Sequence, residues 1–121
     1  MKRILLAEDD PFILEIYSNY LKREGYAVDI AKDGQMALEK IKSAKPDILL
    51  LDIDMPKISG WELLKIIRSD ASMKDLKVII ISNLSQDDHP DLPSHFGVIK
   101  YFVKIQTTVQ EIANAVKEAL K

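Results

Sequence analysis

The stretch Ile48-Leu49-Leu50-Leu51 is apolar at every position, and Asp52 follows it directly. A strand with one face in water alternates apolar and polar side chains, whereas a parallel strand covered by helices on both faces is apolar throughout. Residues 78–81, Val-Ile-Ile-Ile, show the same pattern. The sequence therefore predicts that both stretches are strands of a central, parallel sheet.

Three further short apolar runs lie at residues 4–7, 27–31 and 101–103, each bounded by polar or turn-forming residues. Together with 48–51 and 78–81 they predict five strands. Amphipathic stretches separate the runs, so that strand and helix alternate along the chain. This order implies right-handed crossovers and predicts one α/β domain over residues 1–121, with a doubly wound sheet between two helix layers.

The first helix has sequence signals at both ends. Asp10 before Pro11 is typical of an N-cap followed by the first helical position, and Gly25 is expected to end the helix. Its packed face is predicted to consist of Ile13, Ile16, Tyr17, Tyr20 and Leu21.

The other helices are predicted from their starting residues. The second begins after Asp33-Gly34 and the third after Gly60. The last begins at Thr108, where Thr108 and Glu111 have the spacing of a capping box.

Charge and composition exclude several classes of protein. The chain has 17 Lys and Arg against 19 Asp and Glu, a formal net charge of -2, so no overall field draws it to nucleic acid or to an anionic membrane. Cysteine is absent, which excludes disulfides and thiolate metal sites. No apolar run approaches the ~20 residues that span a bilayer. We expect a cytoplasmic domain that binds neither nucleic acid nor membrane itself.

The residues that follow the predicted strands carry the chemistry. Glu8 and Asp9 follow the first strand, Asp52 the third, Ser82 the fourth and Lys104 the fifth. In open α/β sheets ligands bind outside the carboxyl ends of the strands, so we expect these side chains to converge. Crowded carboxylates repel one another unless a cation intervenes, and hard oxygen ligands favour Mg2+.

Phosphoryl transfer would use every member of this set. An aspartate such as Asp52 can attack phosphorus when a metal and a fixed cation neutralise the transferring group, and Lys104 can be that cation. The hydroxyl of Ser82 can donate a hydrogen bond to a phosphate oxygen. Asp10 is excluded from the metal ligands, because an N-cap side chain is already occupied.

With these residues in place, the whole chain resembles the response regulator receiver family. The segments that carry the resemblance are ILLAEDDP at 4–11, PDILLLDIDMP at 46–56 with Ser59-Gly60 beyond, and YFVK at 101–104. The resemblance implies a flavodoxin-like fold with strand order 2-1-3-4-5. It also implies a signalling domain, not an enzyme, that takes a phosphoryl group from a phosphohistidine on a sensor histidine kinase or a phosphotransfer protein. An output partner or fused output domain would then read the change.

The resemblance also assigns roles to individual residues. Asp52 would be the phosphoacceptor, and Mg2+ would be bound by Glu8, Asp9, Asp52 and the backbone carbonyl of Asp54. The resemblance also implies that Ser82 is the switch residue, whose hydroxyl moves to the phosphate. Tyr101 would be the switch aromatic residue that swings inward with it, and Lys104 would pair with the phosphate.

Three features depart from the family pattern. Ile105 stands where the family has a proline after the lysine. We therefore predict a trans Lys104-Ile105 peptide and a shifted loop that directs the Lys104 ammonium group less accurately toward the phosphate. Asn83 stands where a smaller residue is usual, and its amide is expected to alter the lifetime of the phosphoryl group. Pro90 and Pro93 predict a short or irregular fourth helix, and hence an atypical output surface.

Two other functions remain open on the sequence. Residues 52–54, Asp-Ile-Asp, also resemble the Asp-x-Asp motif of haloacid-dehalogenase-type phosphatases, although in that family the nucleophile follows the first strand. The second alternative is a receiver-shaped interaction module that works by binding alone, against which the retained acidic pair argues.

Overall fold

The computed structural model describes residues 1–83 and 97–121. Five parallel strands form one sheet in the order β2-β1-β3-β4-β5, which confirms the predicted topology. The strands are β1 (Arg3–Ala7), β2 (Ala27–Ala31), β3 (Ile48–Asp52), β4 (Lys77–Ser82) and β5 (Lys100–Val103).

Four helices of the described residues pack on this sheet. They are α1 (Pro11–Arg23), α2 (Gly34–Ser43), α3 (Gly60–Ser69) and α4 (Val109–Ala119). The predicted caps are confirmed: Asp10 accepts hydrogen bonds at the start of α1, and Thr108 and Glu111 form the capping box of α4. The irregular helix predicted from Pro90 and Pro93 lies outside the described residues.

The sheet separates two apolar cores, as its uninterrupted hydrophobic strands require. Leu49 and Leu51 of β3 belong to the core beneath α2 and α3, whereas Ile48 and Leu50 belong to the core beneath α1 and α4. Each fully buried side chain of this size contributes about 1.5–3 kcal/mol to folding. Both faces of β3 are therefore held by packing, and its last residue, Asp52, is fixed in place.

The packed face of α1 differs from the prediction: Ile16 is not part of it, and Leu14 and Ser18 were not predicted. Ile16 is 54% exposed, and the buried positions are Leu14, Tyr17, Ser18 and Leu21. These positions follow the i, i+3, i+4, i+7 spacing of one helix face, and Ile16 lies off it. Apolar residues occupy both sides of α1, so hydrophobicity alone did not identify the packed side.

The register of the sheet brings the carboxyl ends of four strands together. Ala7 pairs with Leu51, and Ser82 pairs with Val103. Glu8, Asp52, Ser82 and Lys104 therefore reach one edge of the sheet from four different strands. Within the described ranges, none of the helices has the length and apolar character needed to cross a membrane.

Candidate functional site

A buried cluster of one ammonium group and two carboxylates lies at this edge. Glu8 is 1% exposed and Asp52 is 2% exposed. The Nζ of Lys104 lies 2.6 Å from Oε1 of Glu8 and 3.4 Å from Oδ1 of Asp52. Lys104 is predicted to pair with a phosphate on Asp52, and in the structure its nearer carboxylate is that of Glu8.

Asp9 completes an acidic triad. One carboxylate oxygen each from Glu8, Asp9 and Asp52 lies within 4.8 Å of the others. The other oxygen of Glu8, Oε2, accepts hydrogen bonds from the backbone N–H groups of Asp9 and Asp10, each at 3.0 Å. Asp10 itself accepts from Phe12 N at 2.9 Å as the cap of α1, in agreement with its exclusion from the metal ligands.

Burial and charge together set the protonation of this cluster. Burial raises the pKa of Glu8 to about 7, although the hydrogen bond from Lys104 opposes the shift. Burial also raises the pKa of Asp52, against the opposing charge of Lys104. Burial alone would lower the pKa of Lys104, but its contacts with Glu8 and Asp52 outweigh that effect and raise it. The contacts with Glu8 and Asp52 therefore favour the charged form of Lys104, whereas burial disfavours the ionised form of both carboxylates.

These donors suit a hard divalent cation. When the triad is fully ionised, three carboxylates face one ammonium group, which leaves two excess negative charges. Mg2+ prefers oxygen ligands and commonly takes one or two protein carboxylates. Burial raises the pKa of Glu8 and Asp52, and a cation bound beside them would favour their ionised forms. The residues present therefore fit Mg2+ in charge and in ligand type.

The loop after β3 brings Asp54 to the same place. The backbone N–H of Asp54 donates to Oδ1 of Asp52 at 3.2 Å. The loop is closed by Gly60, whose N–H donates to the carbonyl of Ile53 at 2.9 Å. A Cβ on Gly60 would lie 2.7 Å from the carbonyl oxygen of Asp52, so the first turn of α3 packs directly on the backbone of Asp52.

Ser82 and Tyr101 lie on the neighbouring strands. Ser82 is fully buried at the end of β4, the strand next to the one that carries Asp52. Tyr101 of β5 pairs with Ile80 of β4, and its side chain is half-buried against the core beneath α2 and α3. The structure therefore brings Ser82 to the edge where Asp52 lies, and places Tyr101 three residues before Lys104.

Ile105 does not keep Lys104 away from the site. The described residues contain no cis peptide bond, so the Lys104-Ile105 bond is trans, as predicted. Lys104 begins a short 3-10 turn, Lys104–Gln106, that Thr107 closes by donating from its hydroxyl to the carbonyl of Val103 at 2.7 Å. The Lys104 ammonium group still contacts Glu8 and Asp52, so the predicted displacement of Lys104 from the site is not observed.

Sequence reasoning missed the contact between the α2 start and the loop after β3. From the sequence, Asp33 and Gly34 predict only the start of a helix. In the structure a Cβ on Gly34 would lie 2.0 Å from the carbonyl oxygen of Ile58. A glycine directly after an N-cap was the available signal, because few helices need glycine at that position.

Comparison with known proteins identifies the family. The model of the response regulator receiver domain family matches residues 4–117. A gliding motility regulatory protein of Myxococcus xanthus is 30% identical over 114 residues, which cover 94% of this chain and 15% of that protein. An uncharacterized transcriptional regulatory protein of Bacillus subtilis is 33% identical over 117 residues, covering 97% of this chain and 50% of the relative. This chain thus spans half or less of the length of these two relatives.

Solved structures agree with this assignment. Response regulator protein TrrA of Thermotoga maritima, in complex with Mg2+-BeF, is 39% identical with a TM-score of 0.86, over 99% of this chain and 100% of the other. A response regulator receiver domain protein of Methanospirillum hungatei is 28% identical with a TM-score of 0.90, over 99% and 94% of the two chains. The chain therefore belongs to the response regulator receiver domain family of two-component signalling systems.

Proposed function

We propose that Asp52 accepts a phosphoryl group from a phosphohistidine of a sensor histidine kinase or phosphotransfer protein, with Mg2+ bound at the acidic triad. One observation carries this proposal: a buried carboxylate at the end of β3 lies 3.4 Å from the Lys104 ammonium group and within 4.8 Å of two further carboxylates. The family assignment favours this role over the phosphatase alternative.

Mg2+ would be held by Glu8, Asp9, Asp52 and the backbone carbonyl of Asp54. The relative TrrA, solved in complex with Mg2+-BeF, supports a metal at this type of site. When bound, Mg2+ supplies positive charge that offsets repulsion between the carboxylates and the incoming phosphoryl oxygens. The chain itself supplies the second positive charge, through Lys104.

In the transfer step, an oxygen of the Asp52 carboxylate forms a bond to phosphorus as the P–N bond to the donor imidazole breaks. The imidazole nitrogen keeps the electron pair of that bond and takes up a proton, so the donor returns as a neutral histidine. Lys104 stabilises the charge on the transferring group, and the Ser82 hydroxyl donates to one of its oxygens. The product is an acyl phosphate on Asp52.

The new phosphate would shift the chain between two conformations. The unphosphorylated chain cannot form hydrogen bonds from Ser82 and Lys104 to a phosphate on Asp52, so once the phosphate is in place these bonds favour whichever conformation allows them. Tyr101, on the strand that leads to Lys104, is the proposed aromatic partner of this change. An output partner or fused output domain would bind the altered surface.

Exposed apolar side chains beside the site suit a protein as the phosphoryl donor. Phe12 is 75% exposed in the first turn of α1, and Ile16 lies one turn further along the same face. Ile105, next to Lys104, is 85% exposed. A protein docking on these side chains would bring its phosphohistidine to the edge where Asp52 lies.

Mass spectrometry after incubation with Mg2+ and a small phosphodonor such as acetyl phosphate tests the acceptor. We expect one phosphoryl adduct in the wild type and none in Asp52→Asn. Asp75→Asn is the matched control, because Asp75 is exposed and lies just before β4, at the amino ends of the strands and away from the site. An adduct that survives Asp52→Asn, or no adduct in the wild type, would contradict the proposal, and the second result would favour the module that works by binding alone.

A further inference from the structure

The start of α2 is pressed against the loop that carries the proposed metal ligand. A Cβ built on Gly34 would lie 2.0 Å from the carbonyl oxygen of Ile58 and 2.6 Å from its Cβ. Contacts of Cβ atoms shorter than 3.0 Å essentially do not occur in proteins. Only glycine at position 34 therefore allows the loop to approach this closely, and any side chain there forces α2 and the loop apart.

Further contacts hold the same part of the loop. The N–H of Gly34 donates to the carbonyl of Pro56 at 3.4 Å. Asp33 caps α2 by accepting from Met36 N at 2.8 Å, and its other oxygen lies 3.7 Å from the Nζ of Lys57. Residues 56, 57 and 58 are thus each in contact with the first residues of α2.

The loop backbone is bent at the point where α2 contacts it. Lys57 has a φ of 69°, in the left-handed region that non-glycine residues rarely occupy. Such a conformation persists only where its surroundings impose it. The contacts of Pro56 and Ile58 with Gly34, on either side of Lys57, are surroundings of that kind.

At its other end the same loop forms part of the proposed site. Asp54 lies two residues before Pro56, and its N–H donates to the Asp52 carboxylate. Gly60 fixes the far end of the loop on the carbonyl groups of Ile53 and Asp52. With Gly60 fixed, the position of Asp54 depends on how the middle of the loop is held.

We propose that Gly34 is a positioning residue for the phosphoacceptor site: it lets α2 hold residues 56–58, and through them sets the position of the Asp54 backbone. This inference rests on the proposed function. Gly34 makes no described contact with the acidic triad, so it acts through the loop. Displacing groups that orient metal ligands typically costs about 10- to 100-fold in metal affinity.

Gly34→Ala tests the inference, with Gly25→Ala as the matched control. Gly25 has a φ of 97° and nothing within 4 Å of a Cβ built on it, so alanine there strains the backbone without touching the loop. Mg2+ affinity is measured by the emission of Trp61, the single tryptophan, which follows Gly60 at the start of α3. The titrations are made well below the unfolding temperature of each variant, where both are folded.

We expect Gly34→Ala to weaken Mg2+ binding by about 10- to 100-fold and Gly25→Ala to leave it unchanged, although both are less stable than the wild type. Equal Mg2+ affinity in Gly34→Ala and the wild type would overturn the inference while leaving the proposed function intact. A wild type that does not bind Mg2+ would instead refute the proposed function.

Amide exchange in the wild type provides a test that needs no variant. If Gly34 and the loop are coupled to the metal site, saturating Mg2+ should slow exchange of the Gly34 N–H, which donates to Pro56. The Gly25 N–H, which donates to Lys22 at 3.0 Å, should not change. Unchanged exchange at Gly34 under saturating Mg2+ would count against the coupling even if Gly34→Ala failed to fold.

Discussion

Replacing Glu8 by glutamine should reduce the pH dependence of stability in the metal-free chain. Glu8 is almost fully buried, and its pKa lies near 7 instead of 4.5, chiefly because of that burial. Each unit of pKa shift corresponds to 1.36 kcal/mol, so the shift of Glu8 amounts to about 3 kcal/mol. Glutamine keeps the size of the side chain and removes its titration.

The sign follows from the direction of the shift. The folded chain binds the Glu8 proton more tightly than the unfolded chain, because the folded pKa is the higher one. The Glu8 contribution to stability is therefore fully present below a pH of about 4.5 and is lost as the pH rises through about 7. We expect Mg2+ to reverse the trend, because by the proposed function it would bind the ionised carboxylates and so stabilise the folded state.

Urea unfolding at about pH 5 and about pH 8 measures this effect, first with a chelator and then with Mg2+. Without metal, the stability of Glu8→Gln relative to the wild type should rise between the two pH values by up to about 3 kcal/mol. Glu15→Gln, at an exposed position of α1, controls for the loss of one negative charge. If Glu8→Gln and the wild type lose equal stability between the two pH values, the reasoning about Glu8 is wrong.

Three further outcomes are expected. Lys104→Met should slow phosphorylation of Asp52 by acetyl phosphate about 100-fold at saturating Mg2+, the usual cost of removing a donor that stabilises a transition state. A time course by mass spectrometry measures this rate, and an unchanged rate would show that Lys104 has no part in the transfer step. The double variant Phe12→Ala, Ile16→Ala should slow transfer from a phosphohistidine protein but not from acetyl phosphate, and equal slowing with both donors would show that α1 is not a docking surface. Thr108→Ala should lower the free energy of unfolding by about 1 kcal/mol through loss of the α4 cap, with no change in the phosphorylation rate. Urea unfolding measures the free energy of unfolding, and a value equal to that of the wild type would contradict the role of the cap.

Much of the fold was predictable because its signals are local. Short apolar runs predicted the five strands that the described residues form, and Asp10 and Thr108 marked helix starts that the structure confirms. The strand ends were less accurate: β3 includes Asp52 and β4 includes Ser82, beyond the apolar runs. Strand pairing is made by the backbone, so a polar residue extends a strand that the apolar side chains no longer mark.

The site was predictable in membership but not in its pairing. Glu8, Asp52 and Lys104 each come directly after a predicted apolar strand of one parallel sheet, and their convergence at one edge follows from that. The closer approach of Lys104 to Glu8 than to Asp52 depends on side-chain positions that no local pattern encodes. The same holds for Gly34, whose contact is with residues more than twenty positions along the chain.

A crystal structure with Mg2+ and beryllium fluoride bound tests the central claim most directly. We predict Mg2+ at about 2.1 Å from oxygens of the acidic triad and the carbonyl of Asp54. Beryllium fluoride should be bonded to Asp52, with Lys104 and Ser82 contacting its fluorine atoms. Mg2+ or beryllium fluoride bound away from Asp52, or Lys104 directed out of the site in that complex, would contradict the account.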